Sequence, residues 1–327
     1  MRKRTSTHVV LALAVVIGVL AGFPQRFEAA GDRNSIGIIQ YVEHQALDAS
    51  REGFLAALAA NGYLDGESID VDYQNAQGDA SNLSTISDRF VGRKVDLVLA
   101  IATPAAQSIA SKTTEIPILG TAITDYVVAR LVDSNEHPGG NISGTTDMNP
   151  VKEQIDLIVT LVPDVQTVGL LYTSSEDNST LQARLAKEAI LALGLDYVEV
   201  TISSSSEVQQ ATQSIVRRVD AIYIPTDNIF ASAMPIVYGV VSQSKTPVIV
   251  GETGMARAGG VATLGINYYD LGYQTGEMAV RVLEGESPAS MPIEGAKGFD
   301  YAINGEMAKE IGLEIPAHLL DYVIDAN

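Results

Sequence analysis

The sequence predicts an α/β protein made of two similar doubly wound parallel-sheet lobes. Three observations predict it. Residues 219–228 (VDAIYIPTDN) run from a charged residue through a short apolar stretch to a proline and three helix-capping residues. That is the pattern of a buried parallel strand feeding the start of a helix. Residues 95–104 (VDLVLAIATP) repeat it, and each copy precedes a second proline-led strand, 116–120 (IPILG) and 246–251 (TPVIVG). Upstream, 35–41 (SIGIIQY) echoes 167–173 (TVGLLYT), so Gly37 answers to Gly169, Asp96 to Asp220 and Pro117 to Pro247. A chance likeness between two unrelated doubly wound domains is the alternative to a repeated lobe.

In chain order, 35–41 is the first strand, and it leaves Gln40 and Tyr41 at a carboxyl strand end. Helical spacing follows over 48–60, ended by Asn61-Gly62. Residues 69–73 alternate as a half-exposed strand, and 82–91 form the next helix. Residues 121–126 (TAITDY) lie at another carboxyl strand end. The turn-rich segment 137–141 (HPGGN) and a strand at 142–146 precede the first crossing between lobes. The second lobe opens with a helix at 151–161. A polar loop, 174–180, follows its first strand, with Asn178 or Ser179 as helix cap. Helices are expected at 181–193 and from Glu207, with a strand at 196–202 between them. After the 262–266 strand, a helix at 271–283 returns to the first lobe, and a strand at 301–304 rejoins the second. The expected division is a leader at 1–30, a first lobe of 31–147 plus 268–297, and a second of 148–267 plus 298–327, joined by a multi-crossing hinge.

The 327-residue chain has room for two ordinary domains. Its apolar content of 46% is that of a packed protein. Forty acidic against 21 basic side chains, a net charge of −19, oppose nucleic-acid binding. Absence of cysteine excludes disulfides, thiolate metal sites and thiol nucleophiles, and absence of tryptophan leaves ligand stacking to Tyr or Phe. Arg2, Lys3 and Arg4, then an apolar run over 9–20 and small residues Ala21 and Gly22, read as a secretory leader. Cleavage is expected after Ala21 or after Ala30, although Glu28 suits the latter poorly. Phe23 stands where a lipoprotein signal needs cysteine, so a soluble exported protein without lipid anchor is expected; an uncleaved anchor is the alternative.

Catalytic and metal chemistry find no support. His8, His44, His137 and His318 are scattered without ligand spacing, and no Gly-x-Gly-x-x-Gly, phosphate loop or Gly-x-Ser-x-Gly occurs. No cofactor is expected. The candidate residues instead suit a small zwitterion at carboxyl strand ends. Asp227 offers a carboxylate to an ammonium, or simply caps its helix; Glu176, Asn228 and Glu252 lie near it in the topology. Thr103 and Thr226 head helices, where a hydroxyl and free N–H groups suit a carboxylate, or act as caps. Asn178 and Ser179 face the same choice. Thr121 and Asp125 sit on the first-lobe wall, and Gln40 ends the first strand. Tyr172 and Tyr268 are candidate stacking rings or core residues; Phe230 and Tyr41 are weaker ones. His44 reads as a local hydrogen-bonding residue. The sequons at Asn82, Asn141 and Asn178 read as accidental.

Residues 36–54 (IGIIQYVEHQALDASREGF), 75–79 (NAQGD), 101–107 (IATPAAQ), 121–125 (TAITD), 138–144 (PGGNISG), 172–179 (YTSSEDNS), 224–228 (IPTDN) and 264–272 (LGINYYDLG) together resemble the substrate-binding proteins of ABC importers. These have the type I periplasmic-binding fold, and the family includes tryptophan/tyrosine uptake proteins. The resemblance spans nearly the whole chain beyond the leader. Two positions depart from it: Tyr126 stands where proline usually follows TAITD, and Glu252 where aspartate or a small polar residue is expected. The resemblance implies that two lobes close over one small ligand and deliver it to a membrane permease; the expected ligand is an aromatic amino acid (Phe, Tyr or Trp), with purines or other flat molecules as alternatives, and a monomer is expected. It also favours ligand contact for Asn178 and Ser179. A sensory module handing its liganded state to a receptor or kinase is the alternative, separable by genomic neighbours.

Overall fold

The computed structural model describes residues 33–324, so the expected leader lies outside the described residues. The first half alternates strand and helix: β1 (Asn34–Gln40), α1 (Gln45–Ala60), β2 (Ile69–Asn75), α2 (Ala80–Arg93), β3 (Leu97–Ile101), α3 (Thr103–Ala110), β4 (Ile118–Ile123) and β5 (Ile142–Thr146). The second half repeats the plan with α4 (Val151–Leu161), β6 (Thr167–Thr173), α5 (Asp177–Ala192), β7 (Asp196–Ile202), α6 (Val208–Ile215), β8 (Ala221–Ile224), α7 (Asn228–Ser232), α8 (Met234–Ser244), β9 (Val248–Val250), α9 (Thr253–Arg257) and β10 (Ala262–Gly265). The remaining elements are α10 (Tyr268–Leu283), β11 (Glu294–Gly295), β12 (Asp300–Asn304), α11 (Gly305–Ile311) and β13 (Val323–Ile324).

Two sheets result, ordered β11-β5-β4-β3-β1-β2 and β13-β12-β10-β9-β8-β6-β7. The central strands β1, β3, β4, β6, β8, β9 and β10 are almost wholly buried, as strands covered by helices on both faces must be. The two halves also share a hydrogen-bond device. The Asp96 carboxylate accepts from Ser35 N at 2.7 Å, and Asp220 accepts from Thr167 N at 2.9 Å. In each half the aspartate before a central strand therefore ties down the start of β1 or β6, which gives the repeated Val-Asp pair a physical cause. Gly37 and Gly169 match too: a Cβ would strike Phe90 in one half and Ile215 in the other.

The chain passes between the sheets after β5, after β10 and after β11, each time from a carboxyl strand end. That explains the one antiparallel step among the described strands. The third passage arrives at the carboxyl end of β10, where Gly265 pairs Asp300, so β12 must run back against its neighbour. The second passage launches α10, which packs on α1 at backbone contact. A Cβ on Gly272 would lie 1.9 Å from Ser50 O, and one on Gly53 would lie 2.0 Å from Tyr269 O. Only glycine permits that approach.

Three sequence expectations change. Helix α5 begins at Asp177, not at 181, so Asn178 and Ser179 lie inside its first turn and Glu176 holds the cap position. Helix α10 begins at Tyr268 and is capped by Asn267, whose Oδ1 accepts from Tyr269 N and Asp270 N. Helix α1 begins at Gln45, which makes His44 its cap residue.

Candidate functional site

The carboxyl ends of both sheets face each other across a narrow cleft, and hydrogen bonds span it. His44 Nε2 lies 3.3 Å from Asn228 Oδ1, Gln182 Nε2 donates to Thr124 Oγ1 at 3.2 Å, and Gln107 Nε2 donates to Asp177 Oδ2 at 2.8 Å. In each pair one residue belongs to an element of the first sheet's half and the other to the second's. The lobes are therefore shut. The pocket between them is lined by His44, Leu47, Ala122 and Thr124 on one side and by Asn178, Thr226, Asp227, Asn228, Ala231 and Glu252 on the other. Asp147 and Tyr268, just past β5 and β10, close its hinge end.

Asp227 caps α7 and does more. Its Oδ1 accepts from Phe230 N and Thr173 Oγ1, both at 2.9 Å, and its Oδ2 accepts from Thr173 N at 2.6 Å. The carboxylate thus fastens the turn after β8 to the end of β6. Glu176 reaches the same helix start. It accepts from Asn228 N and Ile229 N, both at 3.3 Å, from Asn228 Nδ2 at 2.5 Å and from Asn178 Nδ2 at 3.1 Å. Burial raises the carboxyl pKa of both acids, and the nearby Asp227 carboxylate raises that of Glu176 further. Glu252 caps α9 through Met255 N at 2.7 Å and Gly254 N at 2.5 Å, and burial pushes it up to about 7.

At the hinge end, Asp147 accepts from Thr124 Oγ1 at 2.9 Å and from Tyr268 Oη at 2.8 Å, so one buried carboxylate ties β4's exit to two interlobe passages. Burial raises its pKa as well. Four buried acids therefore gather at the cleft, while none of the lining residues is Lys or Arg. Two lining acceptors, Asn178 Oδ1 and His44 Nδ1, are sealed from solvent and have no partner. Ala122 holds a left-handed backbone at φ 55°, and Ala102, just before Thr103, sits at φ 81°. Such strain in non-glycine residues gathers where function over-determines the backbone. Among the described residues no group of three or more His, Cys, Asp or Glu is placed to hold a metal. A wider cavity of about 330 Å³ lies beyond Glu252 and Tyr268, which form a wall common to both spaces.

Of the residues singled out from sequence, Asn178, Thr226, Asp227, Asn228, Glu252 and Tyr268 line the pocket. Glu176 and Ser179 are buried directly behind Asn178. The others lie elsewhere. Gln40 is occupied within its own lobe, donating to Val42 O and Asp48 and accepting from Arg51. Thr121 is buried and accepts from Thr145 Oγ1. Asp125 caps a turn through Val128 N. Tyr172 points to the sheet's outer strand, its Oη donating to Glu199 at 2.5 Å, and offers no stacking face to the pocket. Thr103 does not line the pocket, but its buried Oγ1 has no partner. Thr124 and Asp147 are polar lining residues that the sequence did not single out, and His44, expected only as a local hydrogen-bonding residue, lines the pocket as well. Thr124 had a signal, its place in the polar segment at the end of β4; Asp147 and His44 had only their positions next to a strand end.

Comparison with known proteins agrees with this arrangement. A family model described as "ABC transporter substrate binding protein" matches residues 35–326. The "Tyrosine-binding protein" of Clostridioides difficile (strain R20291) is 42% identical, over 86% of this chain and 82% of that protein. A crystal structure from Streptococcus pneumoniae, an ABC domain in complex with L-Trp, is 39% identical with a TM-score of 0.86, covering 89% of this chain and 100% of that one. The ligand-free, open structure of a substrate-binding protein with adhesive properties from Clostridium difficile is 44% identical, covering 90% and 100%, yet its TM-score is 0.68. The shut cleft described above thus superposes better on the liganded relative than on the open one, despite the lower identity. The fold is the type I periplasmic-binding fold, its task is to bind a small molecule rather than transform it, and the chain belongs to the ABC transporter substrate-binding protein family.

Proposed function

We propose that the protein binds an aromatic amino acid, of the tyrosine and tryptophan class, between its lobes and delivers it to a membrane permease after export. The carrying observation is the charge and hydrogen-bond inventory of the shut pocket: buried carboxylates, two unpartnered acceptors and no Lys or Arg in its lining. Such a wall suits a ligand that brings an ammonium. Asp227, Asn178 and Glu252 are assigned to that ammonium, with Glu176 and Ser179 supporting Asn178 from behind. Tyr268, Leu47 and Ala231 supply the apolar faces for the ring. The carboxylate is assigned to hydroxyl and backbone N–H groups at the strand ends, with the Thr226 hydroxyl as a donor.

The lobes are assigned as residues 31–147 plus 268–297 and 148–267 plus 298–327, a division supported by the strands each sheet holds. With three passages between them, closure is a hinge motion, and ligand shifts the open–shut population. Export is inferred from the basic and apolar leader, and no described helix is long and apolar enough to cross a membrane. The test is thermal: protein freed of bound ligand by unfolding and refolding is melted against a panel of amino acids. Ligand at about 100 times Kd adds about 2.7 kcal/mol, a clear rise in Tm. A flat response to L-Tyr and L-Trp would sink the assignment.

A further inference from the structure

The protonation pattern at the cleft is fixed from one end. Four donors converge on the Glu176 carboxylate, so its oxygens accept. Asn228 must therefore present its Nδ2 to Glu176, which leaves its Oδ1 facing His44 at 3.3 Å. An amide oxygen only accepts, so His44 Nε2 carries the proton and Nδ1 is a bare acceptor. His44 is half-buried as a residue, but its Nδ1 is sealed from solvent and unpartnered. Burial lowers its pKa, which keeps the ring neutral. On the opposite lobe Asn178 gives its Nδ2 to Glu176 and to Thr226 O, and its Oδ1 is left equally bare. Two orphan acceptors on facing walls call for two separate donors on one guest. The ammonium belongs to the second-lobe wall, where Asn178 stands beside the buried Glu176, Asp227 and Glu252, and a plain phenyl ring has no donor for His44.

We infer that His44 is a specificity-determining residue: its Nδ1 accepts a hydrogen bond from the ring O–H or N–H of the ligand, while Asn178 Oδ1 takes a hydrogen of the ammonium. The cleft therefore selects phenol- and indole-bearing amino acids over phenylalanine. Asn228 and Glu176 act through His44 as positioning residues that fix its tautomer. The inference rests on the aromatic amino-acid reading above and deepens it. A site built to hydrogen-bond a ligand donor rejects the analogue lacking it, because its own acceptor is left buried and unpaired.

The test is calorimetric titration of the refolded protein with L-Tyr, L-Trp, L-Phe and β-(3-benzothienyl)-L-alanine, a tryptophan isostere with sulfur in place of the indole N–H. We expect L-Phe and the isostere to bind at least ~10-fold more weakly than their donor-bearing partners. His44→Phe keeps the ring and removes the acceptor, and it should erase that gap. Equal affinities in wild-type protein, within about threefold, would overturn the inference without any variant having to fold. So would a gap that His44→Phe leaves intact. Binding of none of the four by folded protein would instead overturn the aromatic amino-acid reading, and this inference with it.

Discussion

Gln182 offers a direct measure of what holds the lobes shut. It is fully buried on α5 and donates through Nε2 to Thr226 Oγ1 in its own lobe and to Thr124 Oγ1 across the cleft. Its Oε1 faces Thr226 N at 3.5 Å. Opening the cleft breaks the Thr124 bond and admits water to Thr226, so the cross-cleft bond weighs on closure directly and the two contacts within the lobe weigh on it through the desolvation of Thr226. Gln182→Leu removes the cross-cleft bond, a net loss of about 0.5–1.5 kcal/mol, and leaves Thr226 N facing an apolar group, a further cost of about 1–3 kcal/mol. Part of that second cost is relieved by relaxation, so closure should weaken by about 1.5–3 kcal/mol. At tenfold per 1.4 kcal/mol, Kd should rise about 10- to 100-fold. Calorimetry on Gln182→Leu, Thr124→Val and the double variant isolates the cross-cleft bond as a coupling energy of about 0.5–1.5 kcal/mol. Solution scattering should show a more open unliganded ensemble, while unliganded melting stays near wild type. Unchanged affinity in Gln182→Leu, or coupling below about 0.3 kcal/mol, would refute the reasoning.

Two further outcomes follow from the buried acids. Asp227→Ala strips the acceptor from Thr173 N, Thr173 Oγ1 and Phe230 N, so it should cost about 3–5 kcal/mol of stability as well as affinity, read by denaturant titration of unliganded protein. A variant that loses affinity with stability intact would show Asp227 to be a ligand group and little else. For Glu252 the sign runs against the usual carboxylate case, because burial raises its folded pKa to about 7. The folded protein then holds this proton more tightly than the unfolded chain. Stability should fall as pH rises from about 4.5 to 7, while affinity for an ammonium-bearing ligand should rise over the same window as the carboxylate ionises. Glu252→Gln should flatten its share of both slopes in pH-resolved melts and titrations; slopes identical to wild type would remove Glu252 from the account.

The chain's own residues determined the repeated α/β plan. Parallel strands buried on both faces read as apolar runs, and their turns read as proline and cap residues, so 95–104 and 219–228 announced the same unit twice. The place of Asp227 and Asn228 at the pocket wall was legible for the same reason: a residue just past a buried strand lies at the carboxyl edge of its sheet. Which polar groups stay unpaired was decided only by tertiary structure. Gln40 and Tyr172 carry suitable chemistry at suitable strand ends, yet Arg51 and Glu199 occupy them, and neither partner is visible in local spacing. His44, Thr124 and Asp147 become pocket walls only because the lobes shut and the passages cross at the carboxyl edges. A hydrogen bond between residues 184 positions apart, as between His44 and Asn228, leaves no mark on the local pattern of either segment. Local sequence sets strands and caps because those depend on near neighbours; a binding cleft depends on what distant segments leave unsatisfied.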